Sequence, residues 1–449
     1  MPPSPRSRPP PEPSEAGPLE AKATPDLAQS LRLPTGACVP SCPVKAHSKQ
    51  MSTGADMDLA ALVTPTSTEE FLGDVWGRRT AVFPGPPDRF VELLDWRMLS
   101  SLLSEHRHAH PRFRLSREGN IIPRESYMRR AGLPDTAEVP EPTELYRQLQ
   151  DGAMLVLDSV DDMVPEIREL AVALESAFRE RVIINAYAGW SEIEGFDLHW
   201  DDHDVIVLQV YGQKAWSFYG STRDWPMRKD VEANTEPPSD PKDTLLVDAG
   251  DVLYVPRGEW HRVHATKTPS LHLTIGVTRR TGYDFLAWLA EDLISSAVLR
   301  QDIPRHADAQ ERGRYFARLR DEVLARLTED SLERFLYVSD ATAASRALIN
   351  LDAVRPDPQN IGDESLLEWL APRAVPRTAE GRTTLGALGR VWTFAEPASV
   401  VLRELMSRRK LSFARLCSDL SAQVDKEQIR AFVLELQVAG LLSVRTSAP

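Results

Sequence analysis

From Val182 to about residue 280 the sequence consists of short β-rich runs, each ended by Gly, Pro, Asp or Asn. Valine, isoleucine and aromatic residues fit a pleated sheet, and turn residues at near-regular spacing bring short strands back on one another. About eight such strands predict a sandwich, a jelly roll or a barrel. The runs are, in order, VIINAYAG, LHW, DVIVLQVYG, KAWSFYG, DTLLVDAG, DVLYVPRG, HRVHAT and SLHLTIGV.

The segments on either side of these runs have helical patterns. Ser67, followed three residues later by Glu70, is a helix N-cap pattern, and residues 165–181 place apolar side chains on one helical face. Residues 283–348 are rich in Ala, Leu, Glu and Arg and predict about four helices. Four prolines between 356 and 383 predict a linker, and helices that end in a strand follow it, as in a winged-helix-like unit.

The first 50 residues hold 12 of the 35 prolines and no aromatic residue. Such a segment cannot bury enough apolar surface to offset chain entropy, so residues 1–50 are predicted to be a disordered Pro-rich tail. Three cysteines, Cys38, Cys42 and Cys417, are too few for a disulfide framework. No window reaches the roughly 18 apolar residues of a membrane helix, and the N-terminus lacks the apolar stretch of a signal peptide. We therefore expect a cytoplasmic protein without a membrane partner.

The charge of the chain is unevenly distributed. The formal net charge is −13, but the first 50 residues carry +2 and residues 380–449 carry +3, so residues 51–379 carry −18. Because phosphate contacts require local positive charge, this balance disfavours nucleic acid as a partner. It is compatible with a protein, a peptide or a small molecule as substrate.

One strand-rich run carries residues that can bind a metal. In FDLHWDDHD, residues 196–204, the alternation of a β-strand points His199 and Asp201 to the same face. A second block, GDVLYVPRGEWH at 250–261, delivers His261 from another strand after two turns. Two histidines and one carboxylate leave half of a metal's coordination sphere open, as in non-haem Fe(II) oxygenases. We therefore predict a metal site made of these three residues.

At this point the sequence resembles a known family. The blocks HWD at 199–201, LQVYGQKAW at 208–216, GDVLYVPRGEWH at 250–261 and SLHLTIG at 270–276 are similar to those of JmjC/cupin-type 2-oxoglutarate oxygenases, in particular the ribosomal oxygenase group. The resemblance implies a mainly β catalytic core, a double-stranded β-helix of the cupin or jelly-roll kind, with a helical segment and a C-terminal winged-helix-like domain. It implies Fe(II) held by His199, Asp201 and His261, with 2-oxoglutarate and O2 as cosubstrates.

The resemblance assigns roles to four further residues. Lys214 corresponds to the basic residue that pairs with the distal carboxylate of 2-oxoglutarate, and a lysine that follows a hairpin at Gly212 can reach inward with a single charge. Asn185 and Tyr187 match a pocket-lining Asn-X-Tyr element and are expected to contact the cosubstrate or the substrate. His272 is expected to support the pocket from behind.

The same resemblance implies the order of the domains. A JmjC/cupin catalytic domain at 51–281, with its core at 182–280, precedes a helical segment at 282–355 that is expected to form a homodimer. A linker and the winged-helix-like domain follow at 356–449. The implied activity is hydroxylation of a side chain of a protein or peptide, a ribosomal protein among the candidates. Trp190 and His203 depart from the best-known ribosomal members and leave another protein, a ribosomally made peptide or a natural product open as substrate.

Three other functions compete with this interpretation. Lysyl demethylation uses the same fold and the same chemistry, and a non-enzymatic cupin scaffold would only bind a partner. A metal-dependent isomerase or sugar-binding cupin generally needs a fourth protein ligand. The spare imidazole, His203, lies four residues along the strand from His199, roughly 13 Å away, and is poorly placed for that role.

Overall fold

The computed structural model describes residues 57–106, 111–130, 138–233, 237–344, 346, 349, 351–354, 357–379, 381–395 and 398–445. All of the described residues belong to one compact unit, Ser52–Pro449. The tail predicted at 1–50, with Cys38 and Cys42, lies outside the described residues.

Short helices and strands precede the barrel. In order they are α1 (Leu59–Val63), α2 (Thr68–Glu70), β1 (Ala81–Phe83), α3 (Trp96–Glu105), β2 (Phe113–Arg117), β3 (Asn120–Ile121), β4 (Met128–Arg130), β5 (Glu138–Pro140), α4 (Pro142–Gln150), β6 (Met154–Leu157) and α5 (Pro165–Phe178). The hydroxyl of Ser67 caps α2 as predicted, because it accepts a hydrogen bond from the Glu70 amide at 3.1 Å. The helix is less regular than predicted, since it continues as a π-helical turn over Phe71–Val75.

The mainly β core follows as β7 (Arg181–Gly189), β8 (Asp204–Ser221), β9 (Asp243–Asp248), β10 (Val252–Val255) and β11 (Glu259–Thr278). The sheet has the order β1-β10-β8-β11-β7-β6-β2-β3, and β9 pairs with β8 beside this path. All of its pairs are antiparallel. The predicted mainly β core is therefore confirmed.

Two strands are much longer than the sequence predicted, and the hairpin predicted at Gly212 is wrong. Strand β8 contains both DVIVLQVYG and KAWSFYG, and β11 contains both HRVHAT and SLHLTIGV. The chain bends at Gly212, where φ is +73°, and the register between β8 and β11 shifts around Lys267. The first half of β8 pairs with β10 and the end of β11, whereas its second half pairs with β9 and the start of β11. One bent pair of strands thus forms two halves of a barrel.

Strand alternation separates the core from the cavity of this barrel. On β11, Leu271, Leu273 and Ile275 are fully buried in one cluster with side chains of α5 and the π-helical turn. The intervening residues His272, Thr274, Gly276 and Thr278 line a cavity whose opposite wall comes from the other half of the barrel.

The helical segment contains α6 (Gly282–Asp292), α7 (Ala309–Arg326) and α8 (Glu329–Ala341), three α-helices among its described residues where about four were predicted. Both α6 and α8 begin with a capping box, at Thr281 and Thr328. In the described part of the chain, no helix is long and apolar enough to cross a membrane.

The C-terminal part begins earlier than the proline pattern suggested. Residues predicted as a linker form β12 (Leu366–Trp369) and β13 (Val375–Ala379), because Ile361, Leu367 and Trp369 are buried in the C-terminal core. The remaining elements are β14 (Arg382–Ala387), β15 (Arg390–Ala395), α9 (Ala398–Arg408), β16 (Lys410–Ser412), α10 (Phe413–Leu420), α11 (Lys426–Val438) and β17 (Leu442–Arg445). The hairpin of β14 and β15 lies where the first of the helices after the linker was predicted.

Candidate active site

The three residues predicted to bind a metal lie together. One ligand atom from each of His199, Asp201 and His261 falls within 4.8 Å of the others. The backbone holds them in place, because His199 and His261 exchange two backbone hydrogen bonds of 3.2 and 2.8 Å and the Asp201 carbonyl accepts one from Gly258 at 3.0 Å. The run LHW is therefore a single β-bridge to β11 rather than the predicted strand.

Each histidine of this cluster is oriented by a backbone carbonyl. The Nδ1–H of His199 donates to Asp197 at 2.7 Å, and that of His261 donates to Glu259 at 2.9 Å. This fixes the tautomer and leaves both Nε2 atoms free to bind a metal. A donor set of two imidazole nitrogens and one carboxylate oxygen fits Fe(II).

The protonation states also suit a cation. Burial and the neighbouring His199 lower the pKa of His261 to about 4. Burial acts to raise the pKa of Asp201, but the adjacent histidines outweigh it and hold that pKa below its usual value. At neutral pH His261 is neutral and Asp201 is ionised, which is the state that binds metal.

The cluster faces a cavity of about 910 Å³. Lys214 lies in this cavity on the second half of β8, opposite Ala265 of β11 and Val247 of β9. Its side chain is buried, and no acidic group of the described residues forms an ion pair with it. Burial lowers the pKa of Lys214 to about 7. An unpaired ammonium in a buried cavity favours an anionic ligand.

The other predicted pocket residues surround Lys214. Tyr187 stacks on the ring of His272 with the centroids 4.9 Å apart and the planes 8° from parallel. Burial, followed by the charge of Lys214, lowers the pKa of His272 well below its usual value, and its Nδ1 is buried without a hydrogen-bond partner. Asn185 accepts a hydrogen bond from the Ser159 amide at 2.9 Å. All four residues line one end of the cavity.

His203 lies on the cavity wall and outside the three-ligand cluster. Its ring occupies the space above Gly276, where a Cβ would come within 2.9 Å of it, and its Nδ1 lies 3.0 Å from Asp202. The expectation of a position at the pocket, away from the metal, is consistent with this placement.

Several cavity residues were missed by sequence reasoning. Trp216 and Val263 share the strand parity of Lys214 and His261, so alternation could have found them. Arg228 begins a short 3₁₀ helix (Arg228–Ala233) and Arg257 lies in a turn, and neither is long enough for periodicity to indicate the direction of a side chain. Trp200 and Trp260 are buried in one small cluster, whereas Trp190 and Trp225 are exposed.

The bent pair of long strands, wrapped around a cavity that holds two histidines and a carboxylate, is the double-stranded β-helix of the JmjC/cupin class. Residues 162–285 match the family model described as the JmjC domain. The chain thus carries a JmjC domain, and the resemblance predicted from the sequence is confirmed.

Curated proteins similar to this chain include Drosophila proteins named bifunctional lysine-specific demethylase and histidyl-hydroxylase NO66. The D. persimilis protein is 26% identical over 245 residues, which are 53% of this chain and 34% of that protein. The D. grimshawi protein is 28% identical over 314 residues, 65% of this chain and 41% of that protein. The chain therefore spans less than half of the length of these relatives.

Solved structures extend the likeness beyond the JmjC domain. YcfD, a ribosomal oxygenase from Escherichia coli solved with cobalt and 2-oxoglutarate, has a TM-score of 0.54 and 15% identity, covering 85% of this chain and 99% of its own. Its complex with cobalt and succinic acid has a TM-score of 0.52. At this identity the likeness establishes the fold, including the succession of β core and helical parts.

Proposed function

We propose that this chain is an Fe(II)- and 2-oxoglutarate-dependent oxygenase that hydroxylates a side chain of a protein or peptide. The observation that carries the proposal is a three-ligand cluster and an unpaired buried ammonium facing one cavity. The names of the NO66 relatives and of YcfD support a protein substrate.

In this proposal each pocket residue has a defined task. His199, Asp201 and His261 would hold the metal, and Lys214 would pair with the distal carboxylate of 2-oxoglutarate. Bound Fe(II) supplies activation of O2, and the net reaction converts 2-oxoglutarate to succinate and CO2 while a C–H bond of the substrate becomes C–OH. One oxygen atom of O2 enters the alcohol and the other enters succinate. This reaction needs no acid or base from the protein, and the chain's task is to position the reactants and to shield them from water.

Succinate formation tests the proposal. We expect the purified chain with Fe(II), 2-oxoglutarate and O2 to form succinate, and Asp201→Ala to reduce the rate at least a hundredfold, because two imidazoles alone hold the metal weakly. Asp302→Ala is the matched control, since Asp302 is exposed and lies far along the sequence in the helical segment. Unchanged turnover in Asp201→Ala refutes the assignment, and a non-enzymatic scaffold would form no succinate in either variant.

Lysyl demethylation is the second candidate, because the name of the NO66 relatives includes it. It differs in outcome, since hydroxylation of an N-methyl group releases formaldehyde. Methyl-lysine peptides and their unmethylated counterparts, compared by mass spectrometry, separate the two: loss of a methyl group supports demethylation, and gain of one oxygen supports hydroxylation.

We also propose that the helical segment at 282–355 forms a homodimer. Its helices expose apolar side chains that a monomer would leave in water, among them Tyr283 and Phe316, which are 61% and 62% exposed. A single-chain mass in light scattering at micromolar concentration would contradict this.

The order of α9 to β17, with the sheet β16-β12-β17, supports a winged-helix-like C-terminal domain.

The remaining partner and location predictions are part of the same proposal. The −18 charge of residues 51–379 supports a partner other than nucleic acid, and an electrophoretic mobility assay with duplex DNA and RNA tests it. The low cysteine count supports a cytoplasmic location, which cell fractionation tests.

A further inference from the structure

The cavity extends well beyond the metal cluster. Its wall along β11 runs from His272, beside Lys214, to Thr278, a span of about 20 Å at the rise of a β-strand. The end near Thr278 is lined with charged groups, whereas the other end is the pocket around Lys214. The charged residues at this end are Asp202, His203, Arg228, Arg257, Arg279 and Asp284.

Four of these six charged groups already have partners. Arg279 lies 3.5 Å from the buried Asp204, Asp284 accepts a hydrogen bond from the Thr281 amide at 2.7 Å, and Asp202 is paired with His203. In contrast, the guanidinium groups of Arg228 and Arg257 form no ion pair or hydrogen bond with any residue that the structure describes. Arg228 is close enough to Asp202 to help lower the pKa of that carboxyl, but the two are not in ion-pair contact.

The backbone of Arg257 is held beside the metal cluster. Its N–H donates to the carboxylate of Asp204 at 3.3 Å, and the next amide, that of Gly258, donates to the carbonyl of Asp201 at 3.0 Å. Arg257 is half-buried, so its guanidinium is less hydrated than one on the surface.

The loop that carries Arg228 is held against this turn. Asp230 pairs with Arg223 at 2.7 Å and accepts a hydrogen bond from the Met227 amide at 2.9 Å, which closes the loop. Pro226 packs on Gly258, where a Cβ would come within 2.7 Å of it. Both arginines are therefore supported by neighbouring backbone at the same end of the cavity.

We propose that Arg228 and Arg257 bind a carboxylate of the peptide substrate, so that the enzyme prefers residues next to an acidic group. This rests on the proposed function and adds the substrate class. Guanidinium groups bind carboxylates with paired hydrogen bonds, and here two of them stand free in a part of the chain whose net charge is −18. The carboxylate belongs to an Asp or Glu side chain or to a free C-terminus.

A chymotryptic digest of a bacterial extract provides a broad set of probe peptides. The digest is incubated with the full chain, Fe(II), 2-oxoglutarate and O2, and peptides that gain one oxygen are identified by mass spectrometry. A second portion is methyl-esterified first, which neutralises every carboxylate. The double variant Arg228→Glu, Arg257→Glu is compared with Arg390→Glu, an exposed arginine of the hairpin β14–β15.

We expect esterification to slow oxidation of the preferred peptides about ten- to a hundredfold, as for loss of charged hydrogen bonds. The double variant should favour peptides with Lys or Arg near the oxidised residue. Misfolding cannot produce such a reversal of preference. Arg390→Glu should keep the original preference for acidic peptides. Synthetic versions of the best peptide, one amidated at its C-terminus and one with Asn or Gln for its acidic residue, identify which carboxylate is bound.

Equal oxidation of esterified and free peptides, or an unchanged preference in the double variant, overturns the inference. So does succinate formation without any oxidised peptide. Absence of succinate under every condition is a different result, because it overturns the proposed function itself.

Discussion

At the scale of single residues, the site combines two imidazoles with fixed tautomers, an ionised carboxylate and a lysine that has no ion-pair partner among the described residues. The carbonyls of Asp197 and Glu259 select the tautomers of the two histidines. Lys214 is different, because nothing in the described part of the protein neutralises it. Its burial is unfavourable for the ligand-free protein and favourable only when an anion is bound.

The pKa of Lys214 leads to a prediction of how 2-oxoglutarate binding depends on pH. The charged amine binds the carboxylate, and its pKa near 7 in the free protein rises when the anion is bound. Affinity should therefore be constant below about pH 7 and fall by about tenfold per pH unit above it, until the pKa of the bound state is reached. Titration calorimetry with Mn(II) in place of Fe(II) measures this without turnover.

Lys214→Met is the matched variant for that titration. It should bind 2-oxoglutarate at least tenfold more weakly at pH 6 and lose the fall in affinity above pH 7. Because the free protein no longer buries an unpaired ammonium, its melting temperature without ligand should rise. An unchanged affinity at pH 6 would show that the anion binds elsewhere in the cavity.

The residue-level predictions relied on strand alternation and on the family motifs. Alternation predicted that His199 and Asp201 share a face, and the structure places both beside His261, although LHW forms a β-bridge and not a strand. The direction of Lys214 was expected from a hairpin that does not exist, yet it reaches the same cavity from the second half of β8. Their roles as ligands stay predictions until a metal and 2-oxoglutarate are bound.

At the scale of secondary-structure elements, the bend of β8 shapes the site. Gly212 has φ +73°, and a Cβ there would lie 2.5 Å from the carbonyl oxygen of Lys267 and 2.6 Å from that of Pro269. Both a hairpin and a bend require such a residue, which is why the sequence could not distinguish them. The strands were predictable from alternation, but their joining into two long strands depends on pairing with distant segments.

Gly212→Ala should therefore destabilise the barrel strongly. The left-handed conformation costs a residue with a Cβ about 1–2 kcal/mol, and the clash with β11 adds about 1–3 kcal/mol. Gly389→Ala is the control, because Gly389 has φ +72° with no atom within 4 Å of its Cβ position. In urea unfolding, Gly389→Ala should lose only the conformational part of the free energy of unfolding, whereas Gly212→Ala should lose the conformational part and the part due to the clash. Equal losses would mean that the close approach of β8 and β11 is not limiting.

At the scale of the whole molecule, helix α5 connects the barrel to the segments that follow it. Arg346 pairs with Asp161 and Glu175, and Glu175 also accepts a hydrogen bond from the Val182 amide at the start of β7. At the C-terminal end of α5, Arg179 pairs with Asp340 of α8 at 2.6 Å. Composition and charge could not reveal the ion pairs of Arg346 and Arg179, because each joins residues more than 150 positions apart.

Arg346→Met tests whether this buried cluster holds the parts together. It leaves Asp161 and Glu175, both almost fully buried, without their cation, and breaking a buried pair typically costs about 3–5 kcal/mol. Arg326→Met is the control, since its pair with Glu322 is at the surface and is worth about 0–1 kcal/mol. Urea unfolding at pH 7 should therefore show a loss in the free energy of unfolding of about 3–5 kcal/mol for Arg346→Met and of at most about 1 kcal/mol for Arg326→Met. Equal losses in the two variants would mean that the buried ion pairs of Arg346 do not hold the helical segment to the barrel.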